Sequence, residues 1–350
     1  MKFINSSISV IVFIFCLNFN LTAQRLLTED ELDQTKVYTS IEEAILNPEN
    51  VFQLDLLTSD LKVLPPIISK FKRLQRLYLY ENQLTKLPPE IGDLTNLQEL
   101  FLDGNQLTSL PAEIGKLKNL EVLGLHGNKL SSLPKEIGEV ENLKTLYLTE
   151  NQIITLPDEI CNLNNLESID LAYNKLVKLP DGIGKLVKLK ELFLTANKIN
   201  KLPDEIGNLS SLEEFYLDDN NLKEIPDTIG NLHNLKTLGL ANNQLITLPK
   251  TIGKLSLLES LYLSGNKLIL LPLEIGGLVN LKNFFLSDNL LKYIPKEIGH
   301  LRNLKELNLY NNQLTGLPLE FSDLSSLENL GLGKNNFKVL PSSFDNINIY

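Results

Sequence analysis

The chain has 350 residues, 43% of them apolar and 22% charged, which excludes intrinsic disorder as the default and leaves room for one large domain or two ordinary ones. A formal charge of −10 and a pI near 5.0 argue against nucleic acid as a partner, and three histidines with two cysteines exclude a soft-ligand cluster for zinc, haem or iron–sulfur. One number stands apart: 78 leucines, more than a fifth of the chain, against one methionine and no tryptophan, as expected when one packing solution is used many times.

In chain order, Met1-Lys2 opens a segment whose apolar stretch runs from Ile8 to Leu21 and ends at Leu21-Thr22-Ala23. Residues 1–23 read as a secretory signal peptide cleaved after Ala23, too short and too interrupted by Asn18 and Asn20 for a membrane span. Lipid attachment at Cys16 is disfavoured, because Phe15 stands where processing needs a small residue. Removal of this segment leaves Cys161 as the remaining thiol and places the chain outside the cytoplasm, secreted or in the cell envelope, with no transmembrane span. Residues 24–51 follow as an N-terminal cap, in which Ser40-Ile41-Glu42-Glu43 reads as a capping box and Asn47-Pro48 stops a short helix over 40–47.

From residue 52 to 350 one ruler fits. Asn recurs at 82, 105, 128, 151, 174, 197, 220, 243, 266, 289, 312 and 335, each step 23 residues, and 13 of the 16 prolines keep the same step from Pro65 to Pro341. Each unit reads as in Leu97, Leu100, Leu102, Asn105, Leu107, Leu110, Pro111, Ile114, Gly115 and Leu117. The L-x-L pair alternates at period two, so it predicts a short strand with one buried face. The Asn follows the strand, where its amide can bond backbone groups of its own turn and of the neighbouring unit. L-P ends the strand, since proline lacks an amide hydrogen and restricts the residue before it, and a short helical turn follows, often opened by an acid such as Glu90 or Glu113. No unit buries its leucines alone; stacking does.

This pattern resembles the leucine-rich repeat family in its 23-residue form, and with the signal peptide and short cap it is similar to the secreted or surface repeat proteins of spirochaetes. The resemblance implies an α/β solenoid, a curved horseshoe of about 13 units with the last one truncated, and protein–protein interaction as its activity. The concave side carries a parallel sheet, the convex side short helical or 3-10 turns, and the length is on the order of 60 Å at about 4.8 Å per strand. The first unit has Ser59 in place of Asn, and the last keeps Phe337, Leu340, Pro341, Phe344 and Ile347 in their slots but runs out in mid-unit. This predicts an unpaired edge strand near 329–334, and with it an alternative role as a structural surface protein that self-associates into homo-oligomers through that end.

Function must then lie in the outward strand positions. The central outward column holds Tyr78, Phe101, Tyr147, Phe193, Tyr216, Tyr262 and Phe285, joined on the same face by Tyr80, Tyr173 and Tyr310. Aromatic side chains bury large area for few rotatable bonds, so the column is the candidate partner-binding site, although cross-strand rings can also simply stiffen a sheet. Glu99, Asp103, Asp170, Glu191, Glu214, Asp218 and Asp219 flank it, with Arg76 the sole basic residue in the three strand columns. Such a face suits a protein of basic or mixed charge, or a glycan stacked on the rings. Tyr80, Asp103, His126 and Thr149 fall in one column of successive units, but an open sheet lacks the oxyanion donors and dry pocket of acyl transfer, so His126 is assigned to the binding face with Asp103 and no enzyme activity, cofactor or metal is expected. Cys161 takes the slot that is Gly138 or Gly184 in other units and reads as a small packed residue.

Overall fold

The computed structural model describes residues 25–338 and 347–350, so the signal peptide, Cys16 and the slots of Leu340, Pro341 and Phe344 lie outside the described residues. Fifteen parallel strands form one sheet in strict chain order. After β1 (Val37–Tyr38) and β2 (Gln53–Asp55), three-residue strands recur every 23 residues from β3 (Arg76–Tyr78) and β4 (Glu99–Phe101) to β14 (Asn329–Gly331), followed by β15 (Asn348–Ile349). Register is constant: Leu100 pairs with Leu123, Leu123 with Leu146, and the middle residue of each of these strands is buried. In one slice, Leu97, Leu100, Leu102, Leu107, Ile114 and Leu117 are wholly inaccessible, and the next slice covers them.

The asparagines hold the slices together. Asn105 donates from Nδ2 to the carbonyls of Leu79 (2.8 Å) and Leu102 (2.9 Å) and accepts at Oδ1 from the Leu84 amide (3.0 Å). The pattern repeats from Asn82 to Asn335, so backbone groups that cannot reach water are satisfied by a side chain one unit away. Each Leu-Pro step then opens a five-residue 3-10 turn such as Ala112–Lys116, with Ile114 buried beneath it. A second, exposed row of asparagines ties these turns: Asn96 donates to the Lys72 carbonyl (2.8 Å), Asn119 to Thr95 (2.8 Å) and Asn142 to Lys118 (2.9 Å).

The ends differ from expectation in three ways. The cap contains two helices, α1 (Glu29–Leu32) and α2 (Ile41–Ala44), and the full capping box belongs to Thr28 and Glu31 of the first. Ser40 does accept from the Glu43 amide (3.1 Å), but the Glu43 carboxylate turns to Lys36 instead of back to the cap, because an ammonium partner is stronger than a backbone amide. Second, β1 adds a strand before the first repeat, and the cap is tied down by polar side chains from the strands: Gln53 donates to the Leu32 carbonyl (2.6 Å) and Gln75 to that of Leu27 (3.1 Å). Third, the edge near 329–334 is not unpaired. Ile349 pairs with Leu330, with the Asn348 amide donating to the Glu328 carbonyl (2.9 Å) and the Tyr350 amide to that of Leu330 (3.1 Å). The step from Leu330 to Ile349 is 19 residues, four short of the ruler, which is why the strand is invisible at 23-residue spacing.

Candidate functional site

The concave column is not evenly aromatic; its rings gather in three stacks. Tyr78, Tyr80 and Phe101 form one, with Tyr78–Phe101 centroids 5.6 Å apart and Tyr80–Phe101 5.1 Å. Phe193 on β8 (Glu191–Phe193) and Tyr216 on β9 (Glu214–Tyr216) form the second at 5.5 Å, and Tyr262 and Phe285, parallel to within 2°, the third at 5.2 Å. Adjacent strands bring the rings into offset-stacking range, so each stack stiffens its strands and also presents a flat apolar platform. Tyr147 stands alone and is 40% exposed. Tyr310 lies under the ammonium of Lys334, 5.2 Å from its ring centroid. Burial first, then the charge of Glu99, pushes the Tyr78 hydroxyl up to about 12, and burial also raises Tyr80 and Tyr216, so these tyrosines are neutral donors at any physiological pH.

The stacks are separated by glycines for a steric reason. A Cβ on Gly124 would sit 2.4 Å from Asp103 Oδ2 and 2.7 Å from Phe101 Cδ1; on Gly239 it would sit 2.2 Å from Asp218 Oδ2 and 2.9 Å from Tyr216 Cδ1. Each aspartate leans across the glycine of the next strand and accepts that unit's backbone amide, His126 N–H for Asp103 (2.8 Å) and Ala241 N–H for Asp218 (2.8 Å). The two arrangements are copies, five units apart. Asp103 therefore meets His126 through the backbone, whereas the imidazole is exposed, and Oδ2 of Asp103 is buried with no hydrogen-bond partner. Burial raises both carboxyls above their ordinary value.

The other acids divide. Glu99 is engaged by Arg76 (3.0 Å), which also meets Asp33 (2.8 Å) and Glu29 (3.7 Å), so the basic residue of the strand columns belongs to the cap junction. Glu191 and Glu214 lie side by side in register beside the Phe193–Tyr216 stack, and among the described residues neither has a cation within 4.0 Å. A ladder missed in the sequence reading borders this face: Lys144 pairs with Glu121, Lys190 with Glu167 and Lys236 with Glu213, each at 2.6 Å, and Lys282 with Glu259 at 2.7 Å. Its signal was available, because acid and lysine alternate at that slot every 23 residues. The ladder neutralises itself and leaves the inner columns negative. Tyr350 is a second omission: its ring crosses the concave face 3.0 Å from where a Gly331 Cβ would be, and its hydroxyl donates to Glu306 (3.4 Å). Cys161 is 2% exposed and burial pushes its thiol up to about 11, so it is a packed, unreactive group.

Leucine-rich repeat models match much of the chain: a leucine-rich repeat region at residues 113–197 and 226–312, and further leucine-rich repeats at 72–112, 211–232 and 303–324. Comparison with curated protein sequences returns no match. Among solved structures, a leucine-rich repeat protein of Leptospira interrogans is 36% identical over 90% of this chain and 100% of its own, with a TM-score of 0.69. A plant peptide hormone receptor, solved in complex with RGF2, is 29% identical over 87% of this chain and 57% of its own (TM-score 0.73). An internalin from Listeria monocytogenes shares the fold at 22% identity, 86% and 87% coverage and a TM-score of 0.75. With the 23-residue slices, the asparagine ladder and the single curved parallel sheet, these matches place the chain among the leucine-rich repeat proteins.

Proposed function

We propose that this chain is an exported module that captures a protein ligand on its concave face, with the rings as anchors and the uncompensated carboxylates selecting basic side chains. The observation that carries the reading is the Phe193–Tyr216 stack beside Glu191 and Glu214: a flat apolar platform next to two carboxylates that form no ion pair within 4.0 Å among the described residues. A plant peptide hormone receptor of the same fold was solved in complex with RGF2, which supports capture of a protein ligand; the exported setting rests on the signal-peptide pattern of residues 1–23, and host surface or matrix proteins are the partner class we propose for it. The partner-facing set is Tyr78, Tyr80, Phe101, Asp103, His126, Tyr147, Phe193, Glu214, Tyr216, Asp218, Tyr262, Phe285 and Tyr310, with glycans as the competing ligand class.

The test is a binding screen against purified serum and extracellular-matrix proteins, with Phe193→Ser/Tyr216→Ser beside the parent. Loss of binding with an unchanged circular-dichroism spectrum supports the reading. Retained binding to every positive hit refutes it.

A further inference from the structure

One flank of the solenoid, between each ladder asparagine and the following proline, has a charge opposite to the rest of the molecule. At the first, third and fourth positions after the asparagine slot, eleven lysines and two carboxylates (Asp60 and Glu224) occur from residue 60 to 338, in a chain of net charge −10. All eleven are exposed, none is replaced by arginine, and among the described residues none lies within 4.0 Å of a carboxylate, whereas the lysines of the concave border are mostly paired.

Exposed apolar side chains are scattered along this flank at Val63, Ile154 and Val177, but they are densest at one corner. Ile246, Ile269, Leu270, Leu290 and Tyr293, in the units of β10 (Thr237–Gly239), β11 (Ser260–Tyr262) and β12 (Asn283–Phe285), are between 37% and 60% exposed. They are neighbours: the Ile269 amide donates to the Ile246 carbonyl (3.3 Å) and the Leu290 amide to that of Leu268 (2.9 Å). The equivalent positions six units earlier are Thr108, Ser131, Ser132, Gln152 and Thr155. Lys267 and Lys292 stand within the patch. The position just past the proline also changes there. In the preceding units it is Asp158, Asp181, Asp204 and Asp227, and Asp181 and Asp204 line a shallow groove of about 440 Å³ with Lys178 and Lys201. At the corner it becomes Lys250, Leu273 and Lys296, and Leu273 is exposed as well. The acidic border therefore stops where the aliphatic patch begins; Glu224, Glu274 and Glu297 remain at its margins.

We propose that this corner docks the molecule peripherally on an anionic lipid surface. The aliphatic side chains and the Tyr293 ring enter the headgroup region, and the lysines face lipid phosphates. Point charges with no carboxylate partner, on long flexible stems and mixed with exposed aliphatics, match a diffuse anionic interface. A sulfated polymer would favour arginine forks. No helix among the described residues is long and apolar enough to cross a membrane, so the association is superficial. The concave face opens on a different side and remains available to a ligand.

The experiment is cosedimentation of the full chain with vesicles of phosphatidylcholine alone or with one-third phosphatidylglycerol, at low and high salt. Expected is binding to the anionic vesicles only, weakened by salt. Lys267→Gln with Lys292→Gln lowers the partition about 25-fold, at about fivefold per lysine. Ile269→Ser with Tyr293→Ser removes the remainder, while Phe193→Ser/Tyr216→Ser leaves it unchanged. All four flank positions are exposed, so the variants fold. Equal binding to neutral vesicles, or none to anionic ones, overturns the proposal. So does binding to soluble heparin that Ile269→Ser/Tyr293→Ser leaves intact, or a shift in light-scattering mass that those substitutions abolish, which would make the patch an interface between copies.

Discussion

Gly239→Ala probes the junction of fold and concave face. The added methyl carbon would stand 2.2 Å from Asp218 Oδ2 and 2.9 Å from Tyr216 Cδ1, while the glycine's own backbone is in an ordinary region, so the effect is purely steric. Asp218 must swing off the Ala241 amide (2.8 Å), losing a charge-assisted hydrogen bond of about 1.5–3 kcal/mol. Displacement of Tyr216 from Phe193 adds about 0.5–1.5 kcal/mol. Alanine returns about 0.4–1 kcal/mol by restricting the unfolded chain, leaving a net loss of about 2 kcal/mol. The assay is urea unfolding followed by circular dichroism, with midpoints compared at constant slope. Gly316→Ala is the control: nothing lies within 4 Å of its new methyl group, so it is neutral or slightly stabilising. In an Asp218→Ala background most of the Gly239→Ala cost disappears. The reasoning fails if Gly239→Ala costs no more than Gly316→Ala, or if the cost is the same without Asp218.

Two other outcomes follow from the same geometry. Asn197→Leu leaves the buried Leu176 amide without its acceptor (2.9 Å) and the Leu171 and Leu194 carbonyls without the donor they share, so it lowers stability by about 3 kcal/mol in the same urea assay; a loss under about 1 kcal/mol would contradict the ladder's role. Asp103→Asn keeps the acceptor for the His126 amide and puts a donor where Oδ2 has no partner. Because burial raises the Asp103 carboxyl above its ordinary 3.8, the folded state holds that proton more tightly than the unfolded chain. The stabilising effect is complete below the ordinary value and is lost as pH rises through the raised one. The asparagine variant is therefore at least as stable as the parent at pH 7, and its advantage shrinks in acid; an advantage that grows in acid would reverse the argument.

The solenoid was legible because its determinants are local and repeated. Leu100, Asn105 and Pro111 each state a backbone requirement, and eleven copies of the 23-residue step fix their meaning. What escaped was whatever broke the step. Asn348–Ile349 pairs four residues early, so the ruler left the edge open where the chain closes it. On the concave face, column membership was readable but depth was not. Asp103 and Asp218 share a column with exposed His126, and their sinking over Gly124 and Gly239 depends on what the next strand lacks. A pairwise reading of slots one unit apart would have shown that, and the Glu121–Lys144 ladder as well.

The central claim is that ligand contacts the concave rings. Tyrosine nitration, mapped by mass spectrometry on the chain alone and in complex with a protein selected in the screen, tests it within one molecule. Tyr216 and Tyr262 lie on the concave face, whereas Tyr293 lies on the flank and is 60% exposed. The account predicts that ligand protects Tyr216 and Tyr262 and leaves Tyr293 as reactive as before. Protection of Tyr293 with unchanged reactivity of the concave tyrosines would contradict it.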